Sequence, residues 1–264
     1  MEFFTLASSS SGNCSVLRTE TECFLIDAGI SCRRIETALR EKGLSLASLS
    51  AIFITHEHTD HIGGLATLLK KCSAPIYASR GTAGALRNTL AAAPGRICAF
   101  PCGDEMEFSS CRVRSFAISH DTDDPTGYRF DAPDGSLGVL TDTGFVTDEA
   151  RQALLGVDTL LLESNHDVGM VENGPYPYHL KRRILGDRGH LSNAAAAAFA
   201  LECVKCGTQD ILLAHLSAEN NTPSVAEYTV ARALQKGGHS VRLSVAPRET
   251  TSEVHLCRKS RSFV

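Results

Sequence analysis

Ala51-Ile52-Phe53-Ile54-Thr55-His56-Glu57-His58-Thr59-Asp60-His61 is the stretch that decides the fold of this chain. Its first four residues are apolar and rich in β-branched and aromatic side chains. They are too few for a helix and read as a buried strand. The next seven carry five ionisable groups, three imidazoles and two carboxylates, on a turn at that strand's end. The helical-looking Ile62-Gly63-Gly64-Leu65-Ala66-Thr67-Leu68-Leu69 follows. Burying so much uncompensated polarity is costly, and a bound cation is the usual way to offset it. Imidazole with carboxylate suits zinc or manganese.

The surrounding chain offers further strand ends of the same design. Strand-like runs cover residues 3–6, 14–17, 24–26, 52–54, 76–78, 113–118, 128–130, 137–140, 160–162, 211–213 and 241–245. Helical runs cover residues 32–41, 62–71, 83–93, 147–155, 178–186, 193–203 and 224–236. Adjacent strands near the start and middle suggest antiparallel ribbons mixed into an alternating β/α pattern, which fits two mixed sheets with helices outside. His120 ends the strand before it, Asp142 follows Val139-Leu140-Thr141, and His215 follows Ile211-Leu212-Leu213-Ala214. One such histidine is an ordinary surface residue. Three such ends beside His-x-His-x-Asp-His argue for a shared metal shell.

His56-x-His58-x-Asp60-His61 after a strand resembles the signature of the metallo-β-lactamase fold hydrolases. That resemblance implies one domain over residues 1–264, an αββα sandwich of two mixed sheets flanked by helices, with metals at one edge. It implies two divalent ions, Zn2+ or Mn2+. His56, His58 and His120 would serve the first, Asp60, His61 and His215 the second, and Asp142 would bridge them. Two cations about 3.5–4 Å apart can generate hydroxide at neutral pH and clamp the oxygens of an attacked phosphorus or carbonyl. A hydroxide held between the ions would be the nucleophile, so no Ser or Cys is needed for that role. Asp27, in Leu25-Ile26-Asp27-Ala28-Gly29, resembles the family's acid that orients a metal-bound His; local sequence equally allows it to cap the next helix.

Composition sets the remaining bounds. The chain has 264 residues and 43% hydrophobic content, enough to bury a sizeable core without a disorder signature. Met1-Glu2-Phe3-Phe4-Thr5 lacks the basic and long apolar regions of a signal peptide, and no apolar run approaches bilayer length. Ten cysteines without a signal peptide read as reduced cytoplasmic thiols. Cys203-Val204-Lys205-Cys206 lacks the second pair a structural zinc site needs. A formal net charge of −4 means that nucleic acid must be met by a local basic patch. Lys181-Arg182-Arg183 with Arg188, Arg33-Arg34, Lys70-Lys71, and Arg258-Lys259 with Arg261 are candidates, though each also reads as a solvated face. Tyr176 and Tyr178 could stack a base beside the first patch, or simply pack.

Three stretches bear on the substrate. Ala7-Ser8-Ser9-Ser10-Ser11-Gly12-Asn13-Cys14 is a small polar loop whose Ser10, Ser11 and Asn13 could cradle an anion, or form a plain hairpin. Gly189-His190-Leu191-Ser192-Asn193 opens an alanine-rich helix with Ser192 as its cap, setting His190 where phosphate binds well. His215-Leu216-Ser217 with Glu219-Asn220-Asn221 is the third. These look closer to the phosphodiesterase branch of the family than to its β-lactam or thioester hydrolases. With Glu163-Ser164-Asn165-His166-Asp167 and Gly174-Pro175-Tyr176-Pro177, they resemble the bacterial YycJ/VicX (WalJ) subfamily. That likeness implies a 5′→3′ double-strand DNA exonuclease. Asp60 and His190 are the candidate catalytic residues, since the phosphodiesterase branch places a similar Gly-His-Ser-type motif before its final metal His, where its His helps the leaving oxygen depart. The long arm with which tRNA-processing members grip tRNA is missing from the sequence. His166 could reach the metals, hold phosphate or pack behind them, and Asn220 joins it as a candidate supporting or substrate-binding residue. His179, His239 and His255 lack such context and read as surface residues. Two other classes remain open: a hydrolase of small or cyclic phosphodiesters, and a non-catalytic regulatory binding protein, whose mark would be lost ligands.

Overall fold

The structure, a computed structural model, describes residues 1–90 and 95–259. Six strands open the chain: β1 (Glu2–Ala7), β2 (Cys14–Arg18), β3 (Cys23–Ile26), β4 (Ala51–Phe53), β5 (Ile76–Ser79) and β6 (Ile97–Phe100). Eight more follow: β7 (Glu105–Glu107), β8 (Arg112–Ala117), β9 (Thr126–Ala132), β10 (Gly135–Leu140), β11 (Thr159–Glu163), β12 (Asp210–Ala214), β13 (Arg242–Val245) and β14 (His255–Leu256). They form two seven-stranded sheets, ordered β14-β1-β2-β3-β4-β5-β6 and β13-β12-β11-β10-β9-β8-β7. Each sheet is antiparallel over one half and parallel over the other. The parallel runs are β3-β4-β5-β6 and β10-β11-β12-β13. The expected sandwich of two mixed sheets flanked by helices is the architecture observed.

Alternation along the strands builds four layers. Phe24 of β3 and Leu212 of β12 point between the sheets, joining Phe3, Phe53, Tyr128, Phe130 and Leu161 in a buried inner core. Leu25, Ile211 and Leu213 point the other way, under the helices. Both faces are therefore buried, and these strands are apolar throughout rather than alternating with polar residues. Tyr128 donates its hydroxyl to the Ile54 carbonyl at 2.6 Å, which satisfies the one polar atom this ring carries inward.

The helices are α1 (Cys32–Glu41), α2 (Thr59–Ile62), α3 (Leu65–Leu68), α4 (Arg80–Thr89), α5 (Asp148–Leu154), α6 (Val168–Asn173), α7 (Tyr178–Leu185), α8 (Asn193–Lys205) and α9 (Pro223–Lys236). Ser31, Ser79, Thr147, Ser192 and Thr222 cap five of them, each accepting from the third helical N–H. None of these helices is long and apolar enough to cross a membrane, among the described residues.

Several boundaries differ from the sequence expectation. The helix expected over 62–71 is broken into α2 and α3, because Gly63-Gly64 packs against the loop after β3. A Cβ at Gly64 would lie 1.9 Å from the Ile30 carbonyl oxygen, and the Gly64 N–H donates to Ala28 O at 2.8 Å. The helix expected over 83–93 begins earlier, at Arg80; its last residues, 91–93, lie outside the described residues, as does Arg261 of the basic tail. The strands β6, β7 and β14 and the helix α6 were not anticipated. β7, Glu-Met-Glu, is a charged edge strand with only Met106 packed toward the core, too short a pattern to announce it. His255 corrects its reading as a surface residue. It is buried on β14 opposite Phe3, with its Nδ1 2.8 Å from Asp210 Oδ2, a partner 45 residues away that only the fold supplies. His179 is exposed and His239 half-buried, as expected.

Backbone contact at glycine laces the loops that carry the site. Asn13 N–H donates to Asp60 O at 2.7 Å, Gly29 N–H to Asn13 O at 2.8 Å, and Ala28 N–H to His61 O at 2.7 Å. A Cβ at Gly29 would sit 1.6 Å from the Asp60 carbonyl oxygen, whereas one at Gly84, inside α4, meets nothing within 4 Å. Gly29→Ala should therefore cost about 3 kcal/mol or more by overpacking, lowering Tm by about 6 °C or more. Gly84→Ala should gain up to about 1 kcal/mol of helix propensity. Thermal denaturation of both variants checks this; a Gly29→Ala protein as stable as the parent would contradict the close packing.

Candidate metal centre

Six strand ends meet at one edge of the sandwich. β3, β4, β8, β10, β11 and β12 run in directions that bring their carboxyl ends together there, each delivering a polar residue at or within three positions of its end. Ligand sites in α/β sheets lie outside such ends. At three of them the backbone turns through the left-handed region: Asp27 has φ 60°, Asp142 φ 59° and His215 φ 55°. A non-glycine residue held there costs on the order of 1–3 kcal/mol, which the surrounding hydrogen bonds must hold in place.

Four of the five imidazoles are pinned through Nδ1 and turn Nε2 inward; His58 instead turns Nδ1 inward, with its Nε2 3.6 Å from Asp121 Oδ1. His61 Nδ1 donates to Asp27 Oδ2 at 2.8 Å. That carboxylate is itself fixed by the Thr55 N–H at 2.9 Å and the Thr55 hydroxyl at 2.9 Å. Thr55 Oγ1 lies 3.0 Å from His56 Nδ1. His120 Nδ1 faces the Gly189 carbonyl at 3.1 Å, and His215 Nδ1 faces Glu163 Oε1 at 3.0 Å. Because carbonyls and ionised carboxylates only accept, the pinned nitrogen carries the proton and the other is left with its lone pair or a second proton. Asp27 therefore orients His61, while the cap of α1 comes from Ser31.

The inward atoms form two groups joined by a carboxylate. In the first, His58 Nδ1 lies 3.2 Å from His56 Nε2 and 3.2 Å from His120 Nε2. In the second, His61 Nε2 is 3.4 Å from Asp60 Oδ2 and 3.2 Å from Asp142 Oδ2, while His215 Nε2 is 3.4 Å from Asp60 Oδ2 and 3.4 Å from Asp142 Oδ1. Asp142 stands between them, its Oδ1 also 3.9 Å from His120 Nε2. Its buried Oδ2 accepts no well-directed hydrogen bond despite lying close to His61. All seven residues expected to surround the metals are thus brought together, within 4.8 Å inside each group.

Electrostatics favours a cation here. Burial, then the neighbouring His61, holds His56 well below the usual imidazole range, and burial lowers His120 also. Burial works in the same direction at His215, but the Asp142 carboxylate and the hydrogen bonds to Asp60 and Glu163 overturn it and raise His215 to about 10. His61 is raised likewise by Asp142 and Asp27 against its burial. Asp142 is held well below the carboxylate range, since His215 and His61 outweigh its burial. Converging imidazole lone pairs beside carboxylates that draw in positive charge suit a divalent metal.

Glu163 was quoted in the sequence without a role, and the structure makes it a hub. It is fully buried at the end of β11. Its Oε2 accepts from the Thr143 N–H at 2.9 Å and the Leu191 N–H at 3.1 Å. Its Oε1 meets His190 Nδ1 at 2.8 Å and His215 Nδ1 at 3.0 Å. Burial opposes its ionisation, yet His190 and these hydrogen bonds hold it down at about 2. The signal that could have found it is its place at a strand end, the same design as Asp142.

A cavity of about 210 Å³ opens onto the centre, lined by Ser10, His58, Asp60, His120, Asp142, His190 and His215 with Leu180, Arg183, Ile184, Arg188 and Gly189. His190 sits two residues before the Ser192 cap of α8, as expected. Asn13 is buried, its amide nitrogen 3.0 Å from His61 Nε2 and 3.2 Å from Asp60 Oδ2. Ser11 is exposed and bonds Ser9 at 2.9 Å, away from the cavity lining. His166 and Asn220 are buried and line no part of the cavity. His166 Nδ1 has no hydrogen-bond partner, and burial pushes this ring down to about 4; Asn220 Nδ2 turns to Ser217 Oγ at 3.4 Å. The basic run Lys181-Arg182-Arg183 is not one patch. Arg183 turns to Asp121 at 2.8 Å beside the cavity, Lys181 donates to Glu172 O at 2.8 Å, and Arg188 clamps the His120 carbonyl at 2.9 Å.

Comparison with known proteins agrees with this geometry. Residues 23–216 match the family described as a beta-lactamase superfamily domain. The metallo-beta-lactamase fold protein YhfI of Bacillus subtilis superposes with a TM-score of 0.72 over 95% of this chain and 98% of its own, at 13% identity, a likeness of fold alone. Exodeoxyribonuclease YycJ of Bacillus anthracis is 37% identical over 242 residues, 91% of this chain and 92% of that protein. Exodeoxyribonuclease WalJ of Streptococcus pneumoniae is 36% identical over 257 residues, 96% of this chain and 95% of that protein. The chain belongs to the beta-lactamase superfamily and, within it, to the family of the YycJ and WalJ exodeoxyribonucleases.

Glu163→Ala should remove the acceptor for two backbone N–H groups and two imidazoles at once. Breaking a buried ionic pair costs about 3–5 kcal/mol, so Tm measured in a chelator should fall by at least about 6 °C, independently of any bound metal. Glu163→Gln should lose less, since it keeps one acceptor oxygen. An unchanged Tm for Glu163→Ala would argue against the hub.

Proposed function

We propose that this protein is a dinuclear-metal phosphodiesterase, a 5′→3′ exodeoxyribonuclease of double-strand DNA, acting in the cytoplasm as one domain of residues 1–264. The observation that carries the reading is its similarity to exodeoxyribonucleases along more than nine-tenths of both chains. On this reading His56, His58 and His120 hold a first ion, Asp60, His61 and His215 a second, and Asp142 both. Five imidazoles and two carboxylates suit Zn2+ or Mn2+. Such a pair, when bound, supplies a hydroxide nucleophile at neutral pH and neutralises charge on the phosphate oxygens.

The remaining steps fall to the chain's own groups. Arg183 and Arg188 flank the cavity mouth and meet the strand's phosphates. Asn13 holds Asp60 in place through its amide. His190, fixed by Glu163 through Nδ1, has Nε2 available to give a proton or hydrogen bond to the departing alkoxide oxygen. That the ten cysteines are all free supports a reducing compartment.

The purified protein with Mn2+ or Zn2+, tested on end-labelled duplexes, single strands, RNA and a cyclic dinucleotide, is the deciding experiment. Fastest removal of nucleotides from the 5′ end of duplex DNA is expected, and preference for the cyclic dinucleotide would turn the reading to small phosphodiesters. Asp142→Ala should lose both metals and activity together, because no carboxylate then separates two repelling cations. Asp60→Ala should chiefly vacate the second position. Metal analysis checks both, and two ions per chain retained in either variant would refute that residue's role.

His190→Ala should keep both metals and slow cleavage by about 10²–10⁴-fold, the range for general acid help. The defect should shrink on a p-nitrophenyl phosphodiester, whose leaving group departs without a proton. An equal defect on both substrates would remove the general-acid role, and metal loss would make His190 a ligand.

A further inference from the structure

Helix α7 stands between two cavities and presents a different face to each. Leu180, Arg183 and Ile184 line the cavity of the metal centre. Tyr178, Lys181, Arg182 and Leu185, spaced for the opposite face, line a second groove of about 610 Å³ with Glu172 and Gly186. α7 buries none of its side chains, so core packing does not explain what it displays. Tyr178 is 76% exposed, and the Arg182 guanidinium lies 6.0 Å from its ring centroid. Exposed tyrosine beside arginine is a pairing on which nucleobases stack. Lys181 and Arg182 against the single carboxylate of Glu172 leave the groove positive, as a phosphate backbone requires.

The inner cavity sets the constraint. At about 210 Å³ it is smaller than the roughly 300–1,000 Å³ that drug-sized ligands fill. It admits a phosphodiester and its sugar but not a base pair, so a duplex reaches the centre only by giving up its terminal pair. A helix with its side chains is about 10 Å across, enough to occupy the place of that pair.

Resting on the exonuclease reading above, we infer that α7 is a wedge that parts the ends of duplex DNA. The strand to be cut passes the Leu180–Arg183–Ile184 face to the metal centre. The uncut strand lies in the outer groove, its freed base stacked on Tyr178 and its phosphates against Lys181 and Arg182. The inner arginine thereby serves the cut strand and the outer cations its complement.

The test compares initial rates on a blunt duplex and on the same duplex with a forked, unpaired end. Tyr178→Ala should lower the blunt-to-forked rate ratio about tenfold, inside the about 5- to 150-fold that base–aromatic stacking is worth. The double variant Lys181→Glu with Arg182→Glu should shift the ratio in the same direction. A second readout needs no turnover: a duplex closed by non-hydrolysable linkages carries 2-aminopurine as the terminal base of the strand to be cut. Its fluorescence should rise when saturating wild-type protein unstacks it, and should not rise with Tyr178→Ala. A variant that keeps the parental ratio, or the full fluorescence rise, overturns the wedge while leaving the exonuclease reading intact. A wild-type protein that degrades neither DNA overturns both.

Discussion

Everything at the open edge of this sandwich depends on how buried carboxylates find positive charge. Asp27, Asp142 and Glu163 are taken almost wholly out of water, and Asp60 lies beside them. Desolvating charge of one sign on this scale is prohibitive unless opposite charge or donors meet it. The imidazoles answer part of that need, and the rise of His215 to about 10 is the visible consequence. The first group tells the complementary story. Beside His56, His58 and His120 stands Asp121, 3.6 Å from His58 Nε2 and 3.5 Å from His120 Nε2 but already paired with Arg183, and burial keeps His56 and His120 from charging. One side of the centre thus offers neutral lone pairs and the other negative charge, joined through Asp142. A pair of divalent ions fits both halves, whereas protons fit only the second.

That chemistry requires backbone loops held more closely than side chains normally permit. The loops after β1, β3 and β4 exchange main-chain hydrogen bonds directly, and the glycines at 29 and 64 are what let the carbonyls of Asp60 and Ile30 come so near. The left-handed turns at Asp27, Asp142 and His215 add strain at the same edge. Such strain persists only where its surroundings over-determine it. Glu163 is the clearest case of that support, since a single carboxylate fixes the residue after Asp142, the residue after His190, and two imidazoles.

Much of this was legible in the sequence because its signals are local. The apolar run before His56 announces a strand, and the repeated pattern of strand followed by His or Asp marks His120, Asp142 and His215. Two mixed sheets with helices outside follow from the alternation of elements, and the family resemblance adds the αββα layering. What escaped was whatever depends on a partner distant in the chain. The roles of Glu163 and His255 are set by Thr143, Leu191 and Asp210, and no spacing rule reaches them. β7 and β14 are short edge strands with a single inward residue each, Met106 and His255, too little to show an alternating pattern. The break between α2 and α3 comes from contact with the loop at Ala28–Ile30, although the Gly63-Gly64 pair that permits it was in plain sight. The basic run at 181–183 is contiguous in sequence, but helical geometry divides it between two cavities.

That division bears on how an acidic chain grips an acidic polymer. With a net charge of −4, no general field draws nucleic acid to the surface. Arg183 is paired with Asp121 and Arg188 donates to main-chain carbonyls, so each meets phosphate only with the guanidinium N–H groups that those contacts leave over. On the proposed reading, the charge that meets the scissile phosphate comes chiefly from the metals, and only a few side chains touch its neighbours. Binding to many successive phosphates gives high affinity and lets a protein slide along a duplex. A grip confined to a few phosphates gives correspondingly little hold on the interior of DNA. A terminus, where one strand can be peeled away, is the place where such a site can work.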